Sequence, residues 1–434
     1  MDLHDHAPQL SSVESRSTRM RAARSLPNGG RQVLAGVLLL GVAAVALVIG
    51  AAASLAVAAV VPNPWVFFLS ALPLVGLTAY ALGRPVLRLF GAPSRSRAAS
   101  WLAVAAMVVV GTTGAATVMR PGPVLDPTPA PPGTRFWSLP TGSRIAYNHQ
   151  PAVGRPLSGP VVFLHGGPGT PGEGLPAVAP HLAGDGFEVY AYDQLGAGRS
   201  SRLTDVTGYT VARQVADLEA IRVVIDAEQL VLVGQSWGAT LAAAYLAAHP
   251  DRVAKVVFTS PGAIWEPAFA GGVEEPWSRL APADQRQLDR LTQQPRIMAA
   301  FLLLGVSPRS AHALVPDAEA DTFMHRLAVL GKDTASCADQ PPRPAHGNLQ
   351  GFYVNQLTVA NSLLVPDPRP ALRRVPTPAV VLRGDCDFVR PEVADDYVRT
   401  FRAARLVRVP GAGHAIASAQ PATYLSVLRN FLLE

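Results

Sequence analysis

Three long apolar runs in the first 120 residues set the strongest limit on how this chain can fold. Residues 33–61, 65–83 and 100–119 are almost free of charge. About 20 apolar residues suffice for a helix to cross the roughly 30 Å hydrocarbon core of a bilayer. Charged residues make up only 16% of the whole chain. The sequence therefore predicts three transmembrane spans, preceded by a basic cytoplasmic tail at residues 1–32.

The arginines of this region predict its orientation. Residues 1–120 contain ten Arg, no Lys and three acidic residues, a net charge of +7, whereas the turn at 62–64 is uncharged. Because basic residues are retained on the cytoplasmic side, an inside N-terminus followed by three spans places everything after Arg120 outside the cytoplasm. We therefore expect a multi-pass protein of the cell membrane, with the lipid bilayer as a partner. The arginines concerned are Arg16, Arg19, Arg21, Arg24 and Arg31 before the first run, and Arg84, Arg88, Arg95 and Arg97 before the third.

Alternatives to this topology stay open. The run 33–61 fits either one tilted helix or a helix with an interfacial extension. If residues 100–119 lay against protein instead of lipid, two spans would remain and the C-terminal domain would be cytoplasmic. A cleaved signal peptide is disfavoured, because the first run is too long for the apolar part of one and two further runs follow it.

The remaining residues carry almost no net charge. Residues 121–434 contain 27 basic and 28 acidic side chains, so the basic balance of the chain belongs to its membrane region. A nucleic-acid partner is therefore not expected. A transport role is disfavoured as well, because the spans contain no internal ionisable residue of the kind that marks a pathway.

Cysteine and histidine usage gives no sign of a metal. Cys337 and Cys386 are the two cysteines of the chain, and no CxxC or His/Cys cluster occurs. An exported domain would permit a disulfide between them, but two unrelated buried thiols explain them equally well.

The pattern changes after a Pro-rich linker at residues 121–134, which we expect to act as an extended spacer between membrane and domain. In residues 135–434, short runs of Val, Leu, Phe and Tyr alternate with helix-length segments, a pattern typical of a mainly parallel sheet covered on both faces. Residues 262–365 interrupt this rhythm, and we interpret them as a helical cap over the ligand-binding edge of the sheet. The predicted strands are 161–164, 188–192, 230–233, 254–259, 379–383 and 405–409.

The strongest chemical signal is Gly234-Gln235-Ser236-Trp237-Gly238, which directly follows a predicted strand and precedes an Ala-rich helix. A tight strand-to-helix turn of this form exposes a serine oxygen, and the helix N-terminus favours developing negative charge. We predict that Ser236 is a nucleophile. The amide of Trp237 is then the first donor to an oxyanion.

A serine hydroxyl requires a base that is itself oriented by an acid. His414 follows the last predicted strand and is the expected base. Asp385 and Asp387 both follow strand 379–383, and Asp385 also suits a turn. A second oxyanion donor is expected from His165-Gly166-Gly167-Pro168-Gly169, which follows strand 161–164; His165 itself is expected to support this loop.

Three motifs together resemble the proline iminopeptidase family of α/β-hydrolases. They are HGGPG at 165–169, DQLGAGRS at 193–200 and GQSWGA at 234–239, in the order and approximate spacing of that family. The resemblance runs from about residue 135 to the C-terminus. It implies the α/β-hydrolase fold with a helical cap, which here follows about three transmembrane helices that the soluble members lack.

The resemblance also implies roles for particular residues. The family's acid loop, G-x-x-D-x-x-x-P, falls on Gly384, Asp387 and Pro391, which favours Asp387 over Asp385. The second oxyanion donor falls on Gly167. Asp193 and Arg199 are expected to fix the shape of their loop without reacting.

Members of the family remove an N-terminal residue, often proline, from peptides and bind the free amine with carboxylates of the cap. Glu266, Glu274 and Glu275 are candidates for that role, with exposed surface glutamates as the alternative. No cofactor or metal is implied.

Several functions fit these observations. The leading hypothesis is an aminopeptidase that forms an acyl-enzyme with a peptide substrate. A carboxylesterase or lipase-like hydrolase of small esters would use the same residues, since substrate choice depends on the cap. A catalytically silent binding or receptor protein is the alternative of another class. Epoxide hydrolase and dehalogenase chemistry is excluded, because it requires Asp at position 236. The sequence does not specify the oligomeric state.

Overall fold

The computed structural model describes residues 28–89, 94–269, 276–338, 340–341 and 345–434, and the chain forms two compact units. One unit comprises the N-terminal region through Arg120 together with Ala299–Leu314. The other comprises Pro121–Met298 and Val315–Glu434. The sequence did not predict that part of the cap, Ala299–Leu314, groups with the apolar N-terminal helices.

The N-terminal unit is built on three helices, α1 (Asn28–Ala58), α2 (Pro64–Leu89) and α3 (Arg95–Thr117). Each is long and apolar enough to cross a bilayer, with mean hydropathies of 2.8, 1.8 and 1.6. The first helix ends three residues before the predicted boundary, because the side chain of Asn63 caps α2. Its Oδ1 accepts the amides of Trp65 and Val66 at 3.1 and 3.2 Å.

Glycines allow these helices to approach closely. A Cβ added to Gly50 of α1 would lie 2.5 Å from Cγ2 of Val75 in α2, and one added to Gly114 of α3 would lie 2.4 Å from the Phe68 ring. Small residues at helix contacts permit van der Waals packing where no hydrophobic driving force exists between helices. The three helices of this unit therefore pack closely against one another at their glycines.

The second unit contains an eight-stranded sheet with the order β1-β2-β4-β3-β5-β6-β7-β8. The first two strands form an antiparallel hairpin that pairs with β4, and the other six strands are parallel. The strands are β1 (Arg135–Ser138), β2 (Arg144–Gln150), β3 (Val161–Leu164), β4 (Val189–Tyr192), β5 (Leu230–Gln235), β6 (Val253–Thr259), β7 (Ala379–Gly384) and β8 (Ala404–Val409).

All six predicted strands are present, within one or two residues of the predicted bounds. The β1–β2 hairpin was missed. Its second strand, RIAYNHQ, mixes polar and apolar residues because it lies near the edge of the sheet, so it lacks the continuous apolar run of a buried parallel strand.

Helices cover both faces of the sheet and form the cap. They are α4 (Ala179–Gly184), α5 (Val211–Val224), α6 (Trp237–Ala248), α7 (Pro282–Thr292), α8 (Pro295–Val306), α9 (Pro308–Leu314), α10 (Asp317–Leu330), α11 (Phe352–Ser362), α12 (Arg369–Leu372), α13 (Pro391–Thr400), α14 (Ile416–Ala419) and α15 (Pro421–Leu433). Single 3₁₀ turns occur at Val206–Gly208, Pro250–Arg252, Glu266–Phe269, Pro276–Arg279 and Lys332–Ala335. The first five residues of β5 are buried between the layers.

The strand register brings four loops to one edge of the sheet. Leu164 at the end of β3 pairs with Gly234 of β5, and the end of β7 pairs with the end of β8. The parallel strands therefore place every loop that carries a predicted catalytic residue at the same carboxyl edge, where open sheets bind ligands.

The Pro-rich linker, predicted as an extended spacer, makes hydrogen bonds to the second unit. The Gly122 amide donates to Oε1 of Glu319 at 2.9 Å, and the Leu125 amide donates to Oγ1 of Thr322 at 2.9 Å. Both acceptors belong to α10 of the cap. The linker is therefore held along the surface of the second unit.

Candidate active site

Ser236 occupies the sharp turn between β5 and α6. Its backbone has φ 54° and ψ −122°, a left-handed conformation that a non-glycine residue adopts only when its surroundings enforce it. The flanking glycines enforce it by close approach. A Cβ on Gly234 would lie 2.4 Å from the Gly238 carbonyl oxygen, and one on Gly238 would lie 2.2 Å from the Leu164 carbonyl oxygen. The G-x-S-x-G pattern is thus a steric requirement of this turn.

Asp387 and His414 form a buried hydrogen-bonded pair. Oδ1 of Asp387 lies 2.8 Å from Nδ1 of His414 and also accepts the Val389 amide at 3.0 Å. Because a carboxylate only accepts, Nδ1 carries the proton and Nε2 is left as the basic nitrogen. The structure thereby distinguishes the two candidate acids: Asp387 is 7% exposed, whereas Asp385 lies in solvent.

The environment keeps this carboxylate ionised. Burial by itself raises the pKa of Asp387, but the hydrogen bond and charge of His414 and the amide of Val389 outweigh it, so the pKa lies below its ordinary value. An ionised carboxylate is the form that orients an imidazole and stabilises its protonated state. The pair is therefore suited to act as a histidine base that is oriented by a carboxylate.

Ser236 and His414 line one cavity of about 720 Å³ in the second unit, which is called the hydrolase unit below. Within the described ranges, no hydrogen bond joins Oγ of Ser236 to the imidazole. The side chain of Gln235 nevertheless links the two loops, since its Nε2 donates to the His414 carbonyl oxygen at 3.5 Å. Catalytic hydrogen bonds are commonly long without substrate and shorten when it binds.

The predicted oxyanion donors also lie at this cavity. Gly166 runs against the serine, since a Cβ on it would lie 2.9 Å from Cβ of Ser236. Gly167 follows with φ 112°, a conformation open only to glycine at low cost. In the part of the chain that the structure describes, the amides of Gly167 and Trp237 donate to no protein acceptor. Both are thus available to a negatively charged oxygen.

His165 supports the glycine loop from below. Its Nδ1 lies 2.9 Å from the Gly166 carbonyl oxygen, and its Nε2 accepts the Gln194 amide at 2.9 Å. Burial lowers the pKa of His165 to about 4, so the ring is neutral at physiological pH. It acts as a fixed bridge between the loops after β3 and β4.

The loop after β4 is fixed in a similar way. The half-buried carboxylate of Asp193 accepts the Arg199 amide at 2.8 Å and the side-chain amide of Asn348 at 3.2 Å. Burial raises its pKa, against the lowering effect of these donors. The Arg199 guanidinium then contacts Glu173 and the Pro129 carbonyl. These contacts hold the loop and the linker together at the edge of the site.

A disulfide joins Cys337 of the cap to Cys386, the neighbour of Asp387. The cap segment that carries Cys337 also packs against the loop of His414: a Cβ on Gly413 would lie 2.3 Å from the Ala335 carbonyl oxygen. The Cys386 amide in turn donates to the Ala412 carbonyl at 3.0 Å. Cap, acid loop and base loop are thus tied at one place, which the two cysteines alone did not reveal.

The cavity also contains one of the three predicted substrate carboxylates. Glu266 lies on the 3₁₀ turn after β6 and lines the cavity, where burial raises its pKa. Glu274 and Glu275 lie outside the described residues. Sequence reasoning missed Glu173, which also lines the cavity and pairs with Arg199 at 3.2 Å. Its position a few residues after HGGPG was the available signal.

Comparison with known proteins places the chain in a family. A model described as alpha/beta hydrolase fold matches residues 159–418, which is more than half of the chain. The chain therefore belongs to the α/β-hydrolase fold family and is a hydrolase, and the predicted fold class is confirmed. The N-terminal helices lie outside the matched region.

Within the family, its relatives include proline iminopeptidases. That of Heyndrickxia coagulans is 26% identical over 294 residues, 67% of this chain and 96% of the relative. That of Xylella fastidiosa is 30% identical over 281 residues, 60% of this chain and 85% of the relative. A crystal structure of the Mycobacterium smegmatis proline iminopeptidase aligns with TM-score 0.45 and 19% identity, covering 69% of this chain and 97% of that one. The predicted resemblance is thus confirmed.

Proposed function

We propose that the protein is a membrane-anchored serine aminopeptidase that removes N-terminal residues from peptides through an acyl-enzyme. The observation that carries the proposal is the shared cavity: Ser236 on its constrained turn, the His414–Asp387 pair and the half-buried carboxylate of Glu266 all line or adjoin it. The similarity to proline iminopeptidases supports the peptide substrate.

The chemistry follows from the position of each group. Oγ of Ser236 attacks the scissile carbonyl and transfers its proton to Nε2 of His414, while Asp387 stabilises the imidazolium. The amides of Trp237 and Gly167 bind the oxyanion. The imidazolium then protonates the leaving amine, and water hydrolyses the acyl-enzyme with His414 again as base.

Glu266 gives the proposed site its preference for a free N-terminus. A substrate ammonium that leaves water must be paired with a negative charge, and a carboxylate whose own pKa is raised by burial gains from such a partner. An ester without an amine makes no use of this group. Glu266 therefore separates an aminopeptidase from an esterase.

The test is turnover by the purified full chain. Wild type, Ser236→Ala and Glu266→Gln are assayed on Pro, Ala and Leu arylamides, on their N-acetylated forms and on short acyl esters, with the exposed Glu228→Gln as control. We expect hydrolysis of free-amine arylamides, loss of all activity in Ser236→Ala, and a KM for free-amine substrates raised about 10- to 100-fold in Glu266→Gln, as for a lost charged hydrogen bond. Hydrolysis of esters alone would exclude the peptidase.

The same site predicts a pH dependence. The ammonium binds to ionised Glu266, whose pKa is raised by burial, so KM for free-amine substrates should rise as pH falls through a value above that of an ordinary carboxyl group. Esters and the Glu266→Gln variant should lack this rise. An identical pH profile of KM in wild type and Glu266→Gln would remove Glu266 from amine binding.

We further propose that the catalytic unit faces outside the cytoplasm. The flanking arginines support this orientation, and so does the Cys337–Cys386 disulfide, because such bonds form in oxidising compartments. An alkaline phosphatase fused after Glu434 should be active in cells, since that reporter requires export. An inactive phosphatase together with a fluorescent cytoplasmic reporter at the same position would reverse the topology.

A further inference from the structure

Helix α8, Pro295–Val306, is unusually apolar for a helix of a cap. Its sequence, PRIMAAFLLLGV, contains a single charged residue, Arg296. That side chain is buried and paired with Glu319 of α10 at 2.7 Å. At about 1.5 Å per residue the helix is roughly 18 Å long, too short to cross the roughly 30 Å of a bilayer.

One face of α8 exposes large apolar side chains. Met298, Phe301, Leu302 and Val306 are 50%, 39%, 64% and 42% exposed. They recur every three to four residues and so lie on one side of the helix. Ile297, Ala300 and Leu303 on the opposite side are buried. Contiguous exposed apolar side chains of this kind mark a surface that binds a membrane or another protein.

The second half of this helix belongs to the unit of the proposed spans. Ala299–Leu314 groups with α1, α2 and α3, and α9 contacts α2. Oγ of Ser310 donates to the carbonyl of Ala58 at 2.5 Å. Ala58 is the last residue of α1, where carbonyl groups lack a partner within the helix. The segment therefore lies at the end of the first span.

This end of the bundle has the composition of a membrane interface. Trp65, at the start of α2, is 56% exposed, and tryptophan is enriched where hydrocarbon meets headgroups. Arg309, three residues after α8, is exposed as well. A basic side chain beside an apolar helix face is the pattern of a helix that lies in the plane of the interface.

We propose that the exposed face of α8 lies in the lipid at the membrane interface, so that the cap is seated on the bilayer. The inference rests on the proposed membrane anchoring and goes beyond it, because three spans alone would tether the hydrolase unit without any contact between cap and lipid. The occupant is lipid because the second half of the helix, from Ala299, shares a unit with the proposed spans, whose outward side chains are themselves apolar.

The experiment places a fluorescent probe at three positions of the full chain. Variants with one added cysteine, Leu302→Cys, Val109→Cys in the middle of α3 and Val223→Cys on α5, are labelled with an environment-sensitive dye. The native cysteines do not react, since they form the disulfide. The variants are reconstituted in phosphatidylcholine and phosphatidylglycerol vesicles, with and without lipids that carry a quenching nitroxide on the acyl chain. All three residues are well exposed on their helices.

We expect acyl-chain quenching at Leu302→Cys and Val109→Cys but not at Val223→Cys. At residue 302 the signal should fall at least about twofold, because an interfacial helix face lies roughly 5–10 Å below the headgroups. Quenching at 109 without quenching at 302 would overturn the seated cap and leave the anchoring intact. A blue-shifted but unquenched probe at 302 would assign the face to a protein partner, also against the proposal. Absence of quenching at 109 would overturn the membrane anchoring itself.

Discussion

The disulfide between Cys337 and Cys386 allows a quantitative prediction. Replacing both residues by serine opens a loop closed over a sequence separation of 49. The intact bond lowers the chain entropy of the unfolded state, and for such a loop this stabilises the fold by about 4 kcal/mol, which the variant loses. The hydrolase unit has roughly 300 residues. Dividing the lost free energy by the unfolding entropy of a unit of that size gives a fall of about 6 °C in Tm.

The same substitution should affect catalysis only moderately. Cys386 precedes Asp387, but its amide still donates to Ala412 and its carbonyl still accepts from Arg279 at 2.8 Å. The acid loop therefore keeps part of its support when the bond is lost. We expect kcat to fall by no more than about 100-fold, the cost of a displacement of about 1 Å at a catalytic group.

The assay is thermal unfolding and turnover of the full chain in detergent, for wild type, wild type reduced with dithiothreitol, and Cys337→Ser/Cys386→Ser. Reduction should reproduce the double variant and should not affect it further. An unchanged Tm together with an unchanged kcat would refute the role of the disulfide as a clamp between cap and acid loop.

Two further substitutions test the site, each with a matched control. Asp387→Asn should lower kcat by about 10⁴-fold, because the amide favours the wrong histidine tautomer, whereas Asp385→Asn should leave kcat near wild type; equal losses would contradict the assignment of the acid. Gly166→Ala should lower kcat at least about tenfold with little change in KM, because its Cβ would lie 2.9 Å from that of Ser236 and displace the oxyanion loop. Gly172→Ala, whose Cβ meets nothing within 4 Å, should be active, and full activity in both would refute the close approach.

The sequence predicted the features that depend on neighbouring residues, namely the parallel strands and the turn at Ser236. The parallel strands are continuous apolar runs, and the turn at Ser236 requires the glycines beside it for steric reasons. Both features can therefore be recognised in the sequence. The catalytic loops could be placed together because parallel strands present their carboxyl ends at one edge. Asp387 required the family resemblance, since burial separates it from Asp385 only in the folded chain.

Long-range contacts account for what was missed. The disulfide joins residues 49 apart, and nothing local distinguishes such a pair from two thiols. The proline content of the linker predicts an extended spacer, but it does not reveal the hydrogen bonds to α10 that hold the linker in place. Helix α8 falls within the predicted cap. Contacts of the next helix, α9, with α1 and α2 group this segment with the apolar N-terminal helices.

In the proposed function, Ser236 is a nucleophile activated by His414. The most direct measurement is labelling of the full chain with a fluorophosphonate, which reacts with activated serine hydroxyls, followed by mass spectrometry of the modified peptide. We predict one adduct, on Ser236, that is lost in His414→Ala even though the hydroxyl is still present. An adduct on a different serine, or undiminished labelling of Ser236 in His414→Ala, would contradict the account.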